Sequence, residues 1–438
     1  MNLLEFLDLL NNKYFAYPSI ILFFGVSLFL SIKTRFIQIR KFPYFIKLIF
    51  GGLKRTGLSE NTENINAFHA LLTAMGTTIG MGNMVGPTIA IMLGGPGALF
   101  WLLLYMFFGS VTKYVEVTYA LVTREYLPDG FIAGGPMQYL KSISGFLASW
   151  YNYVIIFVLM GWSSGQSNTL ANIMYIEGVP HWVIGLLLGL FVLVALQGGA
   201  KRVGDIASKM VPLMFVLYVS FSFLILFSNP LALLTAFKQV FQNIFQPTAA
   251  VGGFFGVSIL RTIREGMFRG IYICEAGLGT SSIPHALADT KNPTDQGILA
   301  MGSMLADALL SLISGLLVLV TGIWSLGVFR STMIYEVFRI NVPGFGQYVL
   351  LATVTLFVLT TVMGNSFNGF QSFGMLVKDN RWMMRIYTIA TALMIFMGSL
   401  MEMRLIWAIM DTLIVLVAIP NLIGLVLLVQ RRPNDIKA

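Results

Sequence analysis

Charge is scarce in this sequence. Only 11% of its 438 residues are Asp, Glu, Lys or Arg, whereas a domain that must cover itself with water-facing groups uses about a quarter. Cysteine is nearly missing, and the lone Cys274 excludes an internal disulfide. Histidine is almost as rare: His69, His181 and His285 lie far apart, without the spacing of a metal site. There is no glycine-rich loop ending in Gly-Lys-Ser/Thr to cradle phosphate, and the Gly-x-Ser-x-Gly match at Gly161-Trp162-Ser163-Ser164-Gly165 falls inside an apolar span rather than at a strand-to-helix turn that would present a nucleophile. The chain therefore reads as a non-enzyme without an organic cofactor. Any uphill work it performs must draw on an ion gradient. The N-terminus lacks a basic leader, since Glu5 and Asp8 stand among its first residues. It reads as a short amphipathic helix at a membrane interface rather than a cleaved signal. Low-complexity and proline-rich linkers are also missing, so residues 1–438 are read as one domain.

What remains is apolar. Hydrophobic residues make up 57% of the chain and the mean hydropathy is +0.80, which indicates an all-α polytopic membrane protein. About eleven apolar runs of roughly 17 to 26 residues suit a hydrocarbon core. They fall near 17–33, 66–91, 97–123, 149–172, 181–199, 210–228, 248–266, 297–325, 346–377, 384–401 and 405–429. The stretch 231–246 is short and amphipathic and is placed on the outer surface. Basic residues then orient the chain. One set of loops holds Lys33, Arg35, Arg40, Lys41, Lys47, Arg124, Lys141, Lys201, Arg202, Lys209, Arg264, Arg269, Lys291, Arg381, Arg385, Arg431 and Arg432 among others. The other set holds only Lys13, Lys238, Arg330, Arg339 and Arg404. This asymmetry predicts an outside N-terminus and a cytoplasmic C-terminus in a bacterial plasma membrane. It also accounts for the net charge of +9 without nucleic acid.

The second run contains Ile79-Gly80-Met81-Gly82-Asn83-Met84-Val85-Gly86-Pro87. Glycine costs about 1 kcal/mol and proline about 3 kcal/mol in a helix interior. Freed backbone groups at membrane depth are tolerated only when packed in protein or lining a cavity. Such a break offers carbonyl oxygens to a cation and N–H groups to an anion. The alternative is a small-residue face that lets two helices approach closely. Setting the first span aside leaves ten, which divide into fives over 66–229 and 245–430. Five spans per half make the halves run in opposite senses. The second half is expected to open with its own break at Val251-Gly252-Gly253-Phe254-Phe255-Gly256. Paired breaks of this kind point to a transport site between inverted repeats.

Several polar residues within the spans carry candidate chemistry. Met81 and Gly82 can offer N–H groups to a carboxylate. Carbonyls near Gly76 and Ile79, with hydroxyls from Thr360 and Thr361, would suit sodium, although adjacent threonines also bond back to their own helix. Gln166 lies in the polar patch Gly161–Asn168 and either reads a substrate amine or joins two helices. Lys113 and Glu116, at i and i+3, are expected to pair near the cytoplasmic mouth. Asp307 is expected to face Arg261, His285 or a wet vestibule. Arg264-Glu265, Glu275–Gly279 and His285 are read as a cytoplasmic loop that gates the inner side or caps helix ends.

Taken with Gly94–Trp101, Thr112–Val117, Gly134–Met137, Glu275–Gly279, Pro284-His285 and Ala418–Leu422, the break at Gly80–Asn83 makes the chain resemble the sodium:alanine (alanine or glycine:cation) symporters. These motifs are spread in order over most of the chain. The resemblance implies a leucine-transporter-type fold of the amino acid–polyamine–cation superfamily, a five-plus-five inverted repeat with one extra N-terminal helix. It implies sodium-coupled import of a small neutral amino acid by alternating access. A proton- or other cation-coupled symporter of a more polar amino acid is one alternative, and a passive channel or pore is another. The implied sodium ligands are Gly76, Ile79, Thr360 and Thr361. Thr78 and Asn83 would lie near the substrate carboxylate, Met81 and Gly82 would offer backbone N–H groups, and Gln166 would line the pocket. Phe254 and Phe255 would close it. The family's Ser-Trp-Ser-Tyr-Tyr-Gly after the threonines reads Gly364-Asn365-Ser366-Phe367-Asn368-Gly369 here. Asn365 thus stands at a pocket tryptophan's position, and Cys274 stands where an asparagine precedes Glu275. Both changes bear on which amino acid is carried.

Overall fold

The computed structural model describes residues 2–53, 65–127, 132–245, 259–326, 332–378 and 380–437. The chain starts with α1 (Leu3–Leu9), closed at its beginning by a capping box between Asn2 and Glu5. A π-helical stretch, Leu10–Phe15, then carries it directly into α2 (Ala16–Lys33). The expected separate interfacial helix is instead a continuation of the first span. It is held by Asn11, whose amide donates to the Ala408 carbonyl at 2.8 Å, and by an Asp8–Arg404 ion pair at 3.1 Å. Two shorter segments follow, α3 (Ile37–Arg40) and α4 (Phe42–Leu53).

From there the order of elements runs through once and returns. The first pass is α5 (Ala67–Thr78), α6 (Met81–Gly94), α7 (Ala98–Val122), short α8 (Pro136–Lys141), α9 (Gly145–Ile176), α10 (His181–Leu196) and α11 (Gly199–Ser228). After the amphipathic α12 (Pro230–Gln242) comes α13 (Ile259–Cys274), short α14 (Ser282–Ala286), α15 (Pro293–Val320), short α16 (Met333–Asn341), α17 (Gly346–Val377), α18 (Arg381–Leu400) and α19 (Met403–Arg431). Corresponding members match in length: α9 and α17 each have 32 residues, and α11 and α19 have 30 and 29. Each pass opens with an interrupted helix. Among the described residues, eight helices are long and apolar enough to cross a membrane alone, while α6 and α10 are apolar but shorter.

Packing brings the two passes together. The helix α7 lies along α15 and α13, α9 lies along α17, α18 and α19, and α6 lies against α13. A two-residue parallel pairing, Ile65 with Ala288 and Asn66 with Asp289, joins the approach to α5 to the chain leaving α14. Arg124 clamps the same end by donating to the Ala286 and Ala288 carbonyls at 3.0 and 2.7 Å.

The interruptions differ from expectation in two ways. The first is confined to Ile79 and Gly80, and the chain coils again from Met81 through Gly94, with Pro87 inside the helix. Gly82 and Gly86 serve the close approach instead. A Cβ on Gly86 would stand 2.8 Å from Ile273 Cδ1, and one on Gly82 would stand 3.9 Å from Ile273 Cα. Both readings of the glycine-rich stretch therefore hold, for different glycines. The second interruption is Glu275–Ser281, between α13 and α14, where Glu275, Gly277 and Gly279 take positive φ. The expected break at Val251–Gly256, with Phe254 and Phe255, lies outside the described residues. Glu275–Gly279 is no surface loop: Glu275 is 4% exposed, and Ala276 and Leu278 are fully buried. Arg264 and Arg269 thus belong to α13, beside the far end of α6, where Thr262 donates to the Gly94 carbonyl at 2.7 Å. They sit at the opposite end from Arg124 and leave the basic cluster to which the sequence assigned them.

The approach of α13 to α7 depends on a missing side chain. A Cβ on Gly266 would run into the Ala98 carbonyl and reach within 2.7 Å of Trp101 Cβ, whereas one on Gly25 meets nothing within 4 Å. Gly266→Val should lower the melting temperature of the detergent-solubilised protein by several degrees, reflecting about 2 kcal/mol or more of overpacking. Gly25→Ala should leave it unchanged. Equal melting of both variants would show that α13 and α7 are not in this register.

Candidate substrate and cation site

The first interruption is a helix end meeting a helix start. At the end of α5, the Ile79 N–H donates to the Met75 carbonyl at 2.7 Å. The next donor, Gly80 N–H, is diverted to Asn83 Oδ1 at 3.1 Å, so the turn closing on Gly76 is not completed. Helix C-termini leave their last carbonyls without intrahelical donors, and α5 ends at Thr78 with Ile79 as its cap. Ile79 O accepts from Thr361 Oγ1 on α17 at 3.2 Å. Gly76 lies against the same helix, since a Cβ on it would stand 3.7 Å from Thr360 Cβ. Gly80 leaves room that any side chain would take, because its Cβ would stand 2.5 Å from Thr361 Oγ1 and 3.4 Å from Gln166 Nε2. On the α6 side, the Met81 N–H donates to Gln166 Oε1 at 3.3 Å, and Gly82 follows within the first turn.

The second interruption is satisfied partly by its own backbone, as where Leu278 N–H donates to the Glu275 carbonyl at 3.1 Å, and otherwise by side chains. Tyr105 on α7 donates to the Ala276 carbonyl at 2.9 Å, and Tyr151 on α9 donates to Leu278 at 2.6 Å. Asn421 on α19 donates to Gly277 at 2.9 Å, and Asn368 on α17 donates to Thr280 at 3.4 Å. Glu116 on α7 accepts from the Gly277 N–H at 3.0 Å and from Asn421 at 2.8 Å. Tyr139 on α8 completes the group by donating to Asn421 Oδ1 at 2.5 Å. Thr280 in turn bonds to the Glu275 carboxylate.

The sequence-derived residues are distributed as follows. Thr361 and Ile79 meet directly, and Gly76 and Thr360 pack together. The Thr360 hydroxyl also bonds back to the Leu356 and Phe357 carbonyls of its own helix at 3.0 Å. Gln166 reaches the same break through the Met81 N–H. Asn83 caps Gly80 and, through Nδ2, donates to Asp307 Oδ1 at 3.2 Å. Thr78 faces that carboxylate as well. Asp307 therefore partners Asn83 rather than Arg261 or His285, and it is fully buried. His285 instead bonds Gln296 at 2.7 Å. Lys113 and Glu116 do not form the expected i,i+3 pair. Lys113 Nζ donates to Ser303 at 3.4 Å, while Glu116 turns to the second break. Asn365 lies on α17 between the two breaks and is 1% exposed.

Sequence reasoning missed the aromatic group beside the second break. Tyr272 stacks on Trp407 with centroids 4.7 Å apart, and Trp162 meets Tyr272 edge-on at 5.7 Å. The Arg269 guanidinium lies 5.2 Å from the Trp407 ring centroid. The ring contacts join α9, α13 and α19, so no local spacing announces them.

With this geometry in view, comparisons with known proteins agree among themselves. A sequence model described as the sodium:alanine symporter family matches residues 1–437. A sodium/alanine symporter of Methanococcus maripaludis is 33% identical over 442 residues, covering 97% of this chain and 95% of that protein. A probable sodium/glutamine symporter of Bacillus subtilis is 28% identical over 417 residues, covering 93% and 85%. Among solved structures, a sodium-coupled sialic acid symporter superposes with a TM-score of 0.60 at 13% identity, covering 95% of this chain and 92% of that one. The last likeness speaks to the fold.

Asn421 supports the second break with both ends of its amide. Asn421→Ala would strip donors from buried Glu116 and Gly277 O and an acceptor from Tyr139. Leaving buried polar groups unpaired costs about 1–3 kcal/mol each. The variant should melt several degrees lower in a thermal-unfolding measurement; an unchanged midpoint would remove Asn421 from this role.

Proposed function

Because the chain belongs to the sodium:alanine symporter family, we propose that it carries a small neutral amino acid into the cell together with sodium, by alternating access. The observation that carries this reading is the meeting of two interrupted helices within one bundle, with Thr361 of α17 reaching Ile79 O of the first. Sodium is a hard cation that takes oxygen ligands, and half-helix C-terminal ends and unwound carbonyls coordinate such ions in transporters. In this reading the carbonyls of Gly76 and Ile79 and the hydroxyls of Thr360 and Thr361 hold the ion. Thr361 then exchanges one oxygen partner for a bond to the cation.

The substrate carboxylate lies at the start of α6, where the helix dipole favours an anion. Gly82 offers its N–H there, and Met81 does so once Gln166 turns from it to the substrate. Thr78 and Asn83 flank that end. Asn365 faces the substrate side chain. Residues 66–229 and 245–430 act as the two inverted repeats around this site. The chain lies in a bacterial plasma membrane with its N-terminus outside and its C-terminus in the cytoplasm. One observation favours a second reading, a proton in place of a coupled sodium ion. The Asp307 carboxyl is fully buried, and its Oδ2 has no partner among the described residues.

Uptake into proteoliposomes separates these readings. Accumulation of labelled alanine, glycine, serine or glutamine should require an inward sodium gradient and collapse when choline replaces sodium. Accumulation driven by a proton gradient without sodium would favour the Asp307 reading, and non-saturable flux without counterflow would indicate a pore. Thr361→Ala should raise the half-saturating sodium concentration about tenfold or more, equivalent to ~1.4 kcal/mol. Thr360→Ala, whose hydroxyl is already bonded within its helix, should shift it less. An unaltered sodium requirement in Thr361→Ala would contradict the proposed ligand set.

A further inference from the structure

Thr361, Asn365 and Asn368 stand at i, i+4 and i+7 on α17 and so form one stripe. The two ends of that stripe are anchored on opposite breaks. Thr361 Oγ1 donates to Ile79 O at 3.2 Å, and Asn368 Nδ2 donates to Thr280 O at 3.4 Å. Asn365 lies between them on the same face of α17. Its chain neighbours are engaged elsewhere: a Cβ on Gly364 would stand 2.5 Å from Thr77 Cγ2, and Ser366 Oγ lies 3.5 Å from Ser163 Oγ.

Asn365 is 1% exposed, and neither Oδ1 nor Nδ2 has a hydrogen-bond partner among the described residues. The other amides at the breaks are used: Asn83 and Asn421 bond through both ends, and Gln166 through its oxygen. Two further groups around the second break are also unmatched, Asn368 Oδ1 and Ser281 Oγ. A buried amide with both ends unpaired is costly, and its two ends ask for one group that donates and accepts. Alanine and glycine have no such side-chain group.

We infer that Asn365 reads the side chain of the transported amino acid, and that the chain prefers a neutral substrate bearing a hydroxyl or carboxamide over an apolar one. This inference rests on the proposed site lying between the two breaks. A site built to hydrogen-bond a polar group discriminates strongly against the analogue lacking it, because its own buried groups are then left unpaired. Asn365 is thus a specificity-determining residue.

The test pairs each polar amino acid with an apolar analogue of similar size: serine with 2-aminobutyrate, and glutamine with norleucine. Uptake is measured for the full chain in proteoliposomes under a sodium gradient. At least one polar member should exceed its analogue in kcat/KM by about tenfold or more, and the pair that does so separates hydroxyl from carboxamide. Asn365→Leu should bring that ratio close to one. The same variant should melt no lower than the parent without amino acid, since an unpaired buried amide is removed. Serine or glutamine with sodium should raise the parent's melting temperature more than the variant's. Equal kcat/KM within both pairs in the parent overturns the inference, as does an Asn365→Leu variant that keeps the full ratio. Sodium-driven alanine uptake with no polar preference would refute the inference alone. Absence of both sodium-dependent uptake and a sodium-dependent melting shift with any of these amino acids would refute the functional reading beneath it.

Discussion

A carbonyl oxygen inside a membrane protein has no bulk water to bond, so every interruption of a helix must be matched by donors from elsewhere. That constraint organises this molecule. The second break, Glu275–Ser281, is held by Tyr105, Tyr151, Asn368 and Asn421, drawn from four different helices. The first is held by Thr361, Gln166 and Asn83. Because α17 contributes to both, it links the two interrupted helices. Any motion of one half against the other must exchange these bonds rather than simply lose them. A substrate or ion that supplies equivalent partners can therefore shift the balance between arrangements by its differential affinity for them.

The charged core follows the same logic. Lys113, Glu116, Glu275 and Asp307 are all nearly or fully buried, and isolated buried ions are strongly disfavoured. Lys113, Glu116 and Asp307 each touch a polar group of another element, Ser303, the Gly277 N–H and Asn83, and Glu275 is met by Thr280 of its own break.

The helical membrane architecture was legible in the sequence because apolar run length reports directly on bilayer thickness. The first break was legible at Ile79-Gly80, yet its length was not. Gly82 and Gly86 look like helix breakers in one dimension but serve contact with Ile273, 187 or more residues away in sequence. The break at Glu275–Ser281 was not read from the sequence, for a different reason. Arg264, Glu265 and Arg269 make the later part of α13 look like the start of a polar loop, so the glycines following it read as surface rather than core. Those charges are accommodated by aromatic and ionic partners, including Trp407 and the Arg264–Glu265 pair at 3.7 Å. The local i,i+3 spacing of Lys113 and Glu116 suggested a pair that tertiary partners override. The Asn83–Asp307 bond spans 224 positions, and no periodicity could announce it. Thr361, Gln166 and Asn365 are proposed as site residues from family resemblance joined to the chemistry of their side chains.

The central proposal is that the ion and the amino acid bind between the two interruptions. Hydrogen–deuterium exchange of the chain in nanodiscs reads their backbone amides directly. Sodium together with a transported amino acid should slow exchange at Ile79–Asn83 and Glu275–Ser281 at the same time, with choline in place of sodium abolishing the effect. Slowing at only one interruption, or none at either while other segments respond, would contradict the account.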